Sequence, residues 1–484
     1  MRLTGPRGWI RCGRKPHPVP DAWWRGEVIR MGVVAVAKAF RIFLLVLAGA
    51  VATAASPQMT VLAPGAMRSD RLAIGEEQHY RIDLMRGQAV VLALTQLDAT
   101  LQLRWMTSAG ARSPLFQNDA GRHARLRLTL VADDDTSWRI DVAAENASLP
   151  ASYRLEVSKA HPATAIDRER ALAEQSLARA ETLRRETGSL ESGHRPANDV
   201  AVDARAQFQA AIDHGEAAED DCILLMAHAD LARLQYARGD YANAAQSAKS
   251  ALRFGCGEDS DASAAAERAV AERTLGSALG YTGDLVGGTS AQERALALYR
   301  QTGDPHFQAM ALGNLSADYR VLGETHKALD AAQRTLRLAI ASHDAKRALF
   351  ARESIAAIHL QRGELALGRE AYRQTIEDLK KTPNPMIEGM AWNDLGLLYG
   401  ELGDDEASTR AYLKAETAWQ AGGNADGLVE TRINEAEAEL RNGHVERASN
   451  LFESALGYYA SHKRERERAH ALGGLGRCAL ARGN

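Results

Sequence analysis

The sequence predicts a mostly α-helical protein, in which a right-handed α-solenoid follows a small antiparallel β-sandwich. Two observations support this fold class. Residues 59–158 alternate apolar and polar side chains, the pattern of strands that bury one face. Over residues 221–484, a helix–turn–helix pattern recurs at a fixed spacing of 40 residues. Between the two regions, residues 159–220 are predicted to form a linker and a degenerate helical hairpin.

Composition excludes some classes of function. A chain of 484 residues with 45% hydrophobic and 25% charged residues is typical of a folded protein with more than one unit. A net charge of -3 disfavours a nucleic-acid groove, since such grooves need a concentrated basic face. No run of 18 uncharged apolar residues occurs, so we expect no transmembrane span in the mature chain.

The N-terminal residues have the pattern of an export sequence. Residues 1–30 are basic and aperiodic, and we interpret them as a non-native extension before a start at Met31. Residues 31–55 are predicted to be a signal peptide, because cations precede the apolar run Ile42–Ala50 and small residues follow it. The predicted location is therefore periplasmic or secreted. An uncleaved amphipathic anchor is the alternative.

Export changes the interpretation of the cysteines. Cys222 precedes one predicted helix, and Cys256 follows the helix that returns antiparallel to it. Because the two ends of a helical hairpin lie close together, these cysteines could form a disulfide in an oxidising compartment. Unpaired structural thiols are the alternative.

The strands of the predicted sandwich are short and separated by turn-rich segments such as Arg86-Gly87 and Asp133-Asp134-Asp135. Apolar residues mark one face of each strand: Tyr80, Ile82, Leu84; Leu101, Leu103, Trp105; Leu126, Leu128, Leu130; Trp138, Ile140, Val142; Tyr153, Leu155, Val157. The order from "GEEQHYRIDLMRGQ" to the closing "YRLEV" resembles the pre-peptidase-type β-sandwich of secreted bacterial proteins. The resemblance implies an accessory module for docking or targeting, without chemistry.

Seven turn glycines mark the repeat: Gly239, Gly283, Gly323, Gly363, Gly403, Gly443 and Gly483. The first two are 44 residues apart, and every later interval is 40 residues. An apolar residue stands eight positions before each turn, with Glu435 as the exception, and a small residue follows it. These markers resemble the tetratricopeptide repeat, although the period exceeds its usual 34 residues. We therefore expect longer helices or loops and a solenoid core made by stacking.

The resemblance implies that the first helix of each repeat lines a concave groove. The groove positions expected by analogy are Arg233, Tyr236, Arg273, Arg320, Glu353, Asn393 and Arg477. They could hold an extended peptide, or a carboxylate through the arginines. The alternative is that most of them are solvated surface residues.

Candidate chemistry is sparse, and we predict no catalytic, cofactor-binding or metal-binding residues. Cys256 with His214 is the nearest approach to a nucleophile pair, but both stand at helix ends without an orienting third group. The scattered histidines lack metal-ligand spacing. Our primary hypothesis is an exported non-enzymatic scaffold that binds protein or peptide partners.

Two other functions stay open. The order of signal, sandwich and repeats resembles the N-terminal part of exported proteins with a caspase-like CHAT peptidase domain. Since the seventh repeat stops at its own turn, Gly483, the chain could be a truncated regulatory half of such a peptidase. Repeats of 40 residues also occur in bacterial peptide-sensing regulators, which would imply a signalling peptide as the partner.

Overall fold

The computed structural model describes residues 59–484 except for these positions: 74, 99, 108–112, 114, 119, 145–149, 189–196, 257–260, 463 and 484. The predicted extension and signal peptide, residues 1–30 and 31–55, lie outside the described residues. Within the described part, no helix is both long and apolar enough to span a bilayer.

The N-terminal region contains ten strands: β1 Thr60–Val61, β2 Met67–Leu72, β3 Glu77–Leu84, β4 Gln88–Gln96, β5 Leu101–Thr107, β6 Phe116–Gln117, β7 Arg125–Val131, β8 Thr136–Ala144, β9 Ala151–Val157 and β10 His161–Pro162. One sheet has the order β1-β3-β8-β5-β6, and the other has β10-β4-β9-β2 with β7 on the free edge of β4. All pairs are antiparallel except the short β1–β3 pair.

The two sheets share one core, and the apolar alternation places it correctly. Tyr80, Leu103, Leu128 and Tyr153 are all buried, as are most of the other positions named for that face. Trp138 is the exception, since it is only partly buried against the core. The same core continues into the first helices through residues such as Phe208. The sandwich and the start of the solenoid therefore bury their apolar surfaces together.

Fifteen helices follow in the described part of the chain: α1 Ala165–Gly188, α2 Ala197–Ala217, α3 Asp221–Ala237, α4 Tyr241–Ala251, α5 Asp261–Thr282, α6 Leu285–Gln301, α7 Pro305–Val321, α8 Thr325–Ala341, α9 Ala345–Gln361, α10 Leu365–Leu379, α11 Pro385–Glu401, α12 Asp405–Ala421, α13 Ala425–Arg441, α14 Val445–Ser461 and α15 Glu465–Ala481. Consecutive helices pack as antiparallel hairpins, beginning with α1 and α2. The fold is an α-solenoid preceded by a small β region.

The long period comes from long helices. Most helices from α6 onward have 17 residues, and turns of three residues separate most of them, so each half-repeat takes 20 residues. The turn inside a hairpin uses a glycine with positive φ, for example 76° at Gly323. The turn between hairpins has the same geometry, with φ of 65° at Gly303 and 55° at His343. Both turns thus end a helix through a left-handed residue.

Aspartate or asparagine at the last turn position starts many of these helices. The Asp304 carboxylate accepts hydrogen bonds from the backbone N–H groups of His306 and Phe307, at 3.0 and 3.2 Å. Asp284, Asp344, Asn384, Asp404 and Asn424 cap their helices in the same way. Such caps satisfy N–H groups that have no partner within the helix, so each helix starts at a defined residue.

The sandwich packs across the N-terminal ends of several solenoid helices. At the open edge of β7, the buried Glu174 carboxyl of α1 accepts hydrogen bonds from the backbone N–H and the hydroxyl of Thr129. Asp220, the N-cap of α3, binds Arg127 of β7 at 2.8 Å and Arg170 of α1 at 2.7 Å. These contacts fix the sandwich to the first two hairpins.

The loop between β6 and β7 reaches further along the solenoid. The Asn118 amide donates to Glu267 of α5, and the Arg122 backbone N–H donates to Asp304 at 2.9 Å. Gly121 lies so close to α7 that a Cβ there would stand 2.5 Å from Phe307. The sandwich therefore contacts the hairpins that begin with α1, α3, α5 and α7.

Candidate binding groove

The first helices of the hairpins, α3, α5, α7, α9, α11, α13 and α15, form one continuous face. Each contacts the next along the series, whereas the second helices of neighbouring hairpins contact one another less. This difference in spacing curves the solenoid with the first helices on the concave side. We call these the inner helices and their common surface the inner face.

At the N-terminal end of the inner face, two of the expected groove residues are engaged within the solenoid. Arg233 forms an ion pair with Asp230 on the same helix at 2.8 Å. The Tyr236 ring packs against Tyr241 and Tyr281, with ring centroids 5.5 and 5.9 Å away. Burial, followed by these two neighbours, raises the pKa of Tyr236 to about 12. The three tyrosine rings thus join α3, α4 and α5.

Arg273 and Arg477 also have partners in the solenoid. The Arg273 side chain lies beside the buried Tyr299. Arg477 on α15 forms an ion pair with Glu437 on α13. Three of the arginines expected to hold a ligand's carboxylate therefore already contact other side chains, in two cases an acidic one.

The middle of the inner face brings together the remaining three expected residues, Arg320, Glu353 and Asn393, on α7, α9 and α11. Asn393 is hydrogen-bonded to residues that the repeat pattern did not single out, and the charges of Arg320 and Glu353 act on the same group. The Tyr372 hydroxyl donates to Asp394 at 2.6 Å, and the Asn393 amide donates to Asp394 at 3.0 Å. The Asn434 amide of α13 donates to Asn393 at 3.0 Å. With Glu430 at the rim, these residues make up the inner polar cluster: Arg320, Glu353, Tyr372, Asn393, Asp394, Glu430 and Asn434.

The electrostatics of the inner polar cluster are dominated by desolvated carboxyls. Burial raises the pKa of Glu353, Asp394 adds to the effect, and Arg320 opposes it. Burial also raises the pKa of Asp394 against the opposing hydrogen bonds of Tyr372 and Asn393 and the charge of Arg320. Loss of solvent around Glu430, followed by the negative charge of Asp394, raises the pKa of Glu430. Two mostly enclosed carboxyls thus face each other across successive inner helices.

A feature of the sequence could have located this cluster. Glu353 and Asn393 occupy one repeat position, and Asp394 and Asn434 occupy the next. Polar residues at equivalent positions of consecutive inner helices lie side by side when the repeats stack. Tyr372 could not have been found in this way, because it extends from α10 between two inner helices.

The other candidate groups of the sequence have structural partners. The sulfur atoms of Cys222 and Cys256 are joined as a disulfide, with the Cα atoms 4.6 Å apart. The Nδ1 atom of His214 lies 2.7 Å from a carboxylate oxygen of Glu169, and the sulfur of Cys256 is bonded to Cys222. Both members of the only nucleophile-like pair noted in the sequence therefore take part in holding helices.

Glu77, His79 and Asp141 form the one three-ligand group of metal-binding type in the described residues. The Arg139 guanidinium lies in this group, 2.7 Å from Asp141 and 3.2 Å from the Nδ1 atom of His79. His79 itself lies 2.7 Å from Asp141. The positive charge that a metal would supply to Asp141 is provided here by Arg139.

Comparisons with known proteins establish the fold of this chain. No protein-family model and no curated protein matches the sequence. The structure of the apo form of RapI superposes with a TM-score of 0.50 at 12% identity, over 60% of this chain and 99% of RapI. At this identity the likeness shows the fold alone, a tetratricopeptide-type helical solenoid.

Two further structures are similar over a comparable share of the chain. A tetratricopeptide repeat protein from Parabacteroides merdae matches with a TM-score of 0.43 at 16% identity, covering 62% of this chain and 99% of its own. A Rap protein complexed with competence and sporulation factor matches with a TM-score of 0.45 at 11% identity, covering 64% and 86%.

Proposed function

We propose that this chain is an exported, non-enzymatic scaffold that binds extended segments of partner proteins on its inner face. The inner polar cluster is the observation that carries the proposal. Stacking of helical hairpins needs apolar surfaces, and enclosing carboxyls, amides and a tyrosine hydroxyl lowers stability. Their presence here therefore indicates a role other than packing. Groups of this kind can bind the backbone and side chains of an extended chain.

The tetratricopeptide-type fold supports the same proposal. One similar structure is that of a Rap protein complexed with competence and sporulation factor. The regulatory half of a caspase-like peptidase and the peptide-sensing regulator stay alternative hypotheses. Reading the DNA that follows the codon of Asn484 tests the first of these, because a continuation that encodes a His/Cys domain would favour it.

Selection from a phage library of random ten-residue peptides tests the binding function. We expect the full chain to select peptides, and we expect the double variant Glu353→Ala, Asp394→Ala to lose them. The control removes two exposed carboxylates from α10, as Glu370→Ala and Glu377→Ala, and should bind as the wild type does. A library that yields no binders, or binders that ignore both variants, would count against the proposal.

Export is supported by the Cys222–Cys256 disulfide, since disulfides persist in oxidising compartments. A fusion of residues 31–58 to an alkaline phosphatase reporter tests it, because that enzyme needs the periplasm to form its own disulfides. We expect an active reporter. An inactive reporter, made in normal amounts in the cytoplasm, would contradict export.

A further inference from the structure

The two enclosed carboxyls of the inner polar cluster lack a positively charged partner. Glu353 is only 5% exposed and makes no ion pair within the part of the chain that the structure describes. Its one hydrogen-bonding neighbour is the side chain of Ser354. Asp394 accepts hydrogen bonds from two neutral donors, Tyr372 and Asn393, and likewise makes no ion pair in the described residues.

Arg320 is the cation nearest to these carboxyls, yet it lies on α7 with an exposed side chain and beyond ion-pair distance of both. Two other enclosed carboxylates of the solenoid do have a close guanidinium. Glu435, 4% exposed, contacts Arg447 at 2.7 Å, and Glu272 contacts Arg294 at 2.7 Å. Glu353 and Asp394 therefore differ from Glu435 and Glu272 in their missing counter-charge rather than in burial.

Enclosing a carboxyl without a cation costs free energy, and the raised pKa values of Glu353 and Asp394 reflect that cost. A ligand ammonium or guanidinium group would supply the missing charge in a site where solvent screens it little. The geometry of this site is partly set in advance, since Tyr372 donates to one oxygen of the Asp394 carboxylate and Asn393 donates to the other.

An apolar surface adjoins the inner polar cluster. Met310, Phe350 and Met390 occupy the same position on α7, α9 and α11, and each is partly exposed. Phe350 and Met390 stand three or four residues before Glu353 and Asp394, so they share one helix face with these carboxyls. A segment lying across the inner helices would pass from an apolar surface to an acidic one.

We propose that the inner polar cluster binds a lysine or arginine side chain of an extended peptide, with a neighbouring apolar residue of that peptide on Met310, Phe350 and Met390. The proposal rests on the proposed binding function and deepens it by naming the class of partner segment. Glu353 and Asp394 receive the cation, Tyr372 and Asn393 orient Asp394, and Arg320 opposes binding of the cation through its own charge.

Sequences of the phage-selected peptides test the inference. Wild-type binders should be enriched for a lysine or arginine beside an apolar residue, and the isosteric variant Glu353→Gln, Asp394→Asn should lose that enrichment. Binders without such enrichment would overturn the inference while leaving the binding function in place. Failure to select any peptide would overturn the binding function itself.

Affinity measurements sharpen the test. A selected peptide with capped ends and its lysine-to-glutamine counterpart are titrated against the full chain. We expect at least tenfold weaker binding after the lysine is replaced, and at least tenfold weaker binding of the lysine peptide to Glu353→Gln, Asp394→Asn. Glu370→Gln with Glu377→Gln should have no effect. Equal affinities of the two peptides would overturn the inference.

Two further readouts distinguish cation binding from a merely structural role of these residues. Arg320→Ala should bind the lysine peptide severalfold more tightly, because a competing charge is removed. Calorimetry in two buffers of different ionisation enthalpy should show proton release on binding, since the ligand cation favours the ionised forms of Glu353 and Asp394. The other charged or titratable groups that face these carboxyls are Arg320, Tyr372 and Glu430. Unchanged affinity in Arg320→Ala together with no proton release would contradict the proposal.

Discussion

Gly473 and Gly474 are neighbours on α15, and they have opposite surroundings. A Cβ on Gly474 would stand 2.5 Å from the buried ring of Phe452 on α14, whereas a Cβ on Gly473 would have nothing within 4 Å. The same fit recurs where Gly396 faces Tyr412 and where Gly389 and Gly427 enclose Trp419. Small residues on one helix thus make room for single large rings from another.

This contrast predicts opposite effects of two adjacent substitutions. Gly474→Ala should destabilise the packing of α15 on α14 by about 1–3 kcal/mol, because the ring of Phe452 must move. Gly473→Ala should stabilise α15 by about 0.5–1 kcal/mol, because alanine is the better helix former. Chemical denaturation, with hydrogen exchange in α14 and α15, measures both. Equal effects of the two substitutions would contradict the packing described here.

A single carboxyl at the edge of the sandwich predicts a dependence of stability on pH. Burial raises the pKa of Glu174 from its usual 4.5 to about 7, and Arg127 and Thr129 oppose the shift. Because the folded state binds this proton more tightly than the unfolded state does, the contribution is largest below pH 4.5 and is lost as the pH rises to about 7. The loss amounts to about 3 kcal/mol.

Glu174→Gln should remove this dependence, since a glutamine carries no charge. Its carbonyl oxygen can accept from the Thr129 N–H group, and its amide nitrogen can donate to the Thr129 hydroxyl. The variant should be more stable than the wild type at pH 8 and about equally stable near pH 4.5. Urea denaturation from pH 4.5 to 8 provides the measurement. A variant that loses stability at pH 8, or that follows the wild-type pH profile, would show that ionised Glu174 is not penalised at this interface.

The sequence located some of these residues and missed others for a physical reason. Glu435 was identified as an exception at an apolar repeat position, and the structure shows it buried with Arg447 of α14 at 2.7 Å. The sequence alone could not pair them, because the partner depends on the rotation of α14 against α13. Glu353 and Asn393 followed from the repeat position, and the shared position of Asp394 and Asn434 could have been found in the same way, while Tyr372 depends on a contact between different hairpins.

At the scale of elements, the hairpin of α3 and α4 is closed by the Cys222–Cys256 disulfide over a sequence separation of 34 residues. A crosslink over a loop of this length stabilises by about 4 kcal/mol through loss of entropy in the unfolded chain. We expect a reductant to lower the unfolding temperature of the wild type. The double variant Cys222→Ser, Cys256→Ser should already be lower and should not respond to the reductant.

Thermal unfolding with and without dithiothreitol makes this comparison, and mass spectrometry of the exported protein counts its free thiols. A wild type with three free thiols among Cys222, Cys256 and Cys478, or with a stability independent of reductant, would contradict a structural disulfide. The Cys478 thiol is buried and unpaired in the described residues, so it serves as the internal reference for alkylation.

Most of the helical elements were predictable, because periodic turn glycines mark where helices end. The turns between hairpins were harder to recognise in the sequence, because the residue with left-handed geometry is not always a glycine. It is Gly303 or Gly423 in two of these turns and His343 in another. Asparagine, aspartate and histidine tolerate that conformation better than most residues. The strands followed from alternation, although the short β1 and β10 are too brief to show a period.

At the scale of the whole molecule, the packing of the sandwich on the solenoid was not predictable. The hydrogen bond between Arg122 and Asp304 joins residues 182 positions apart, and no local pattern relates them. Periodicity describes contacts between consecutive repeats, so it is silent about a contact that skips several of them. The structure shows one joint unit in which a β domain and four helical hairpins support each other.

Gly121 provides a test of this joint unit. Gly121→Ala and Gly87→Ala both place a side chain where φ is positive, at 91° and 77°, so both bear backbone strain. Only at Gly121 would the new Cβ meet α7, 2.5 Å from Phe307. We expect Gly121→Ala to lose about 1–3 kcal/mol more than Gly87→Ala, with faster hydrogen exchange at the start of α7. Equal losses would mean that the sandwich is not held there.

The 20-residue half-step has a consequence for how such a chain can change its length in evolution. Removing or duplicating 40 residues restores every helix to its former face, whereas a change of 20 exchanges inner and outer helices throughout the remainder. The β6–β7 loop contacts Asp304 and Phe307 at the start of α7. The number of hairpins between α1 and α7 is therefore fixed by the distance that this loop spans. Among the described residues, the hydrogen bonds from the sandwich to the solenoid extend as far as Asp304, at the start of α7. Gain and loss of whole repeats among homologues should therefore be confined to the segment from α9 onward.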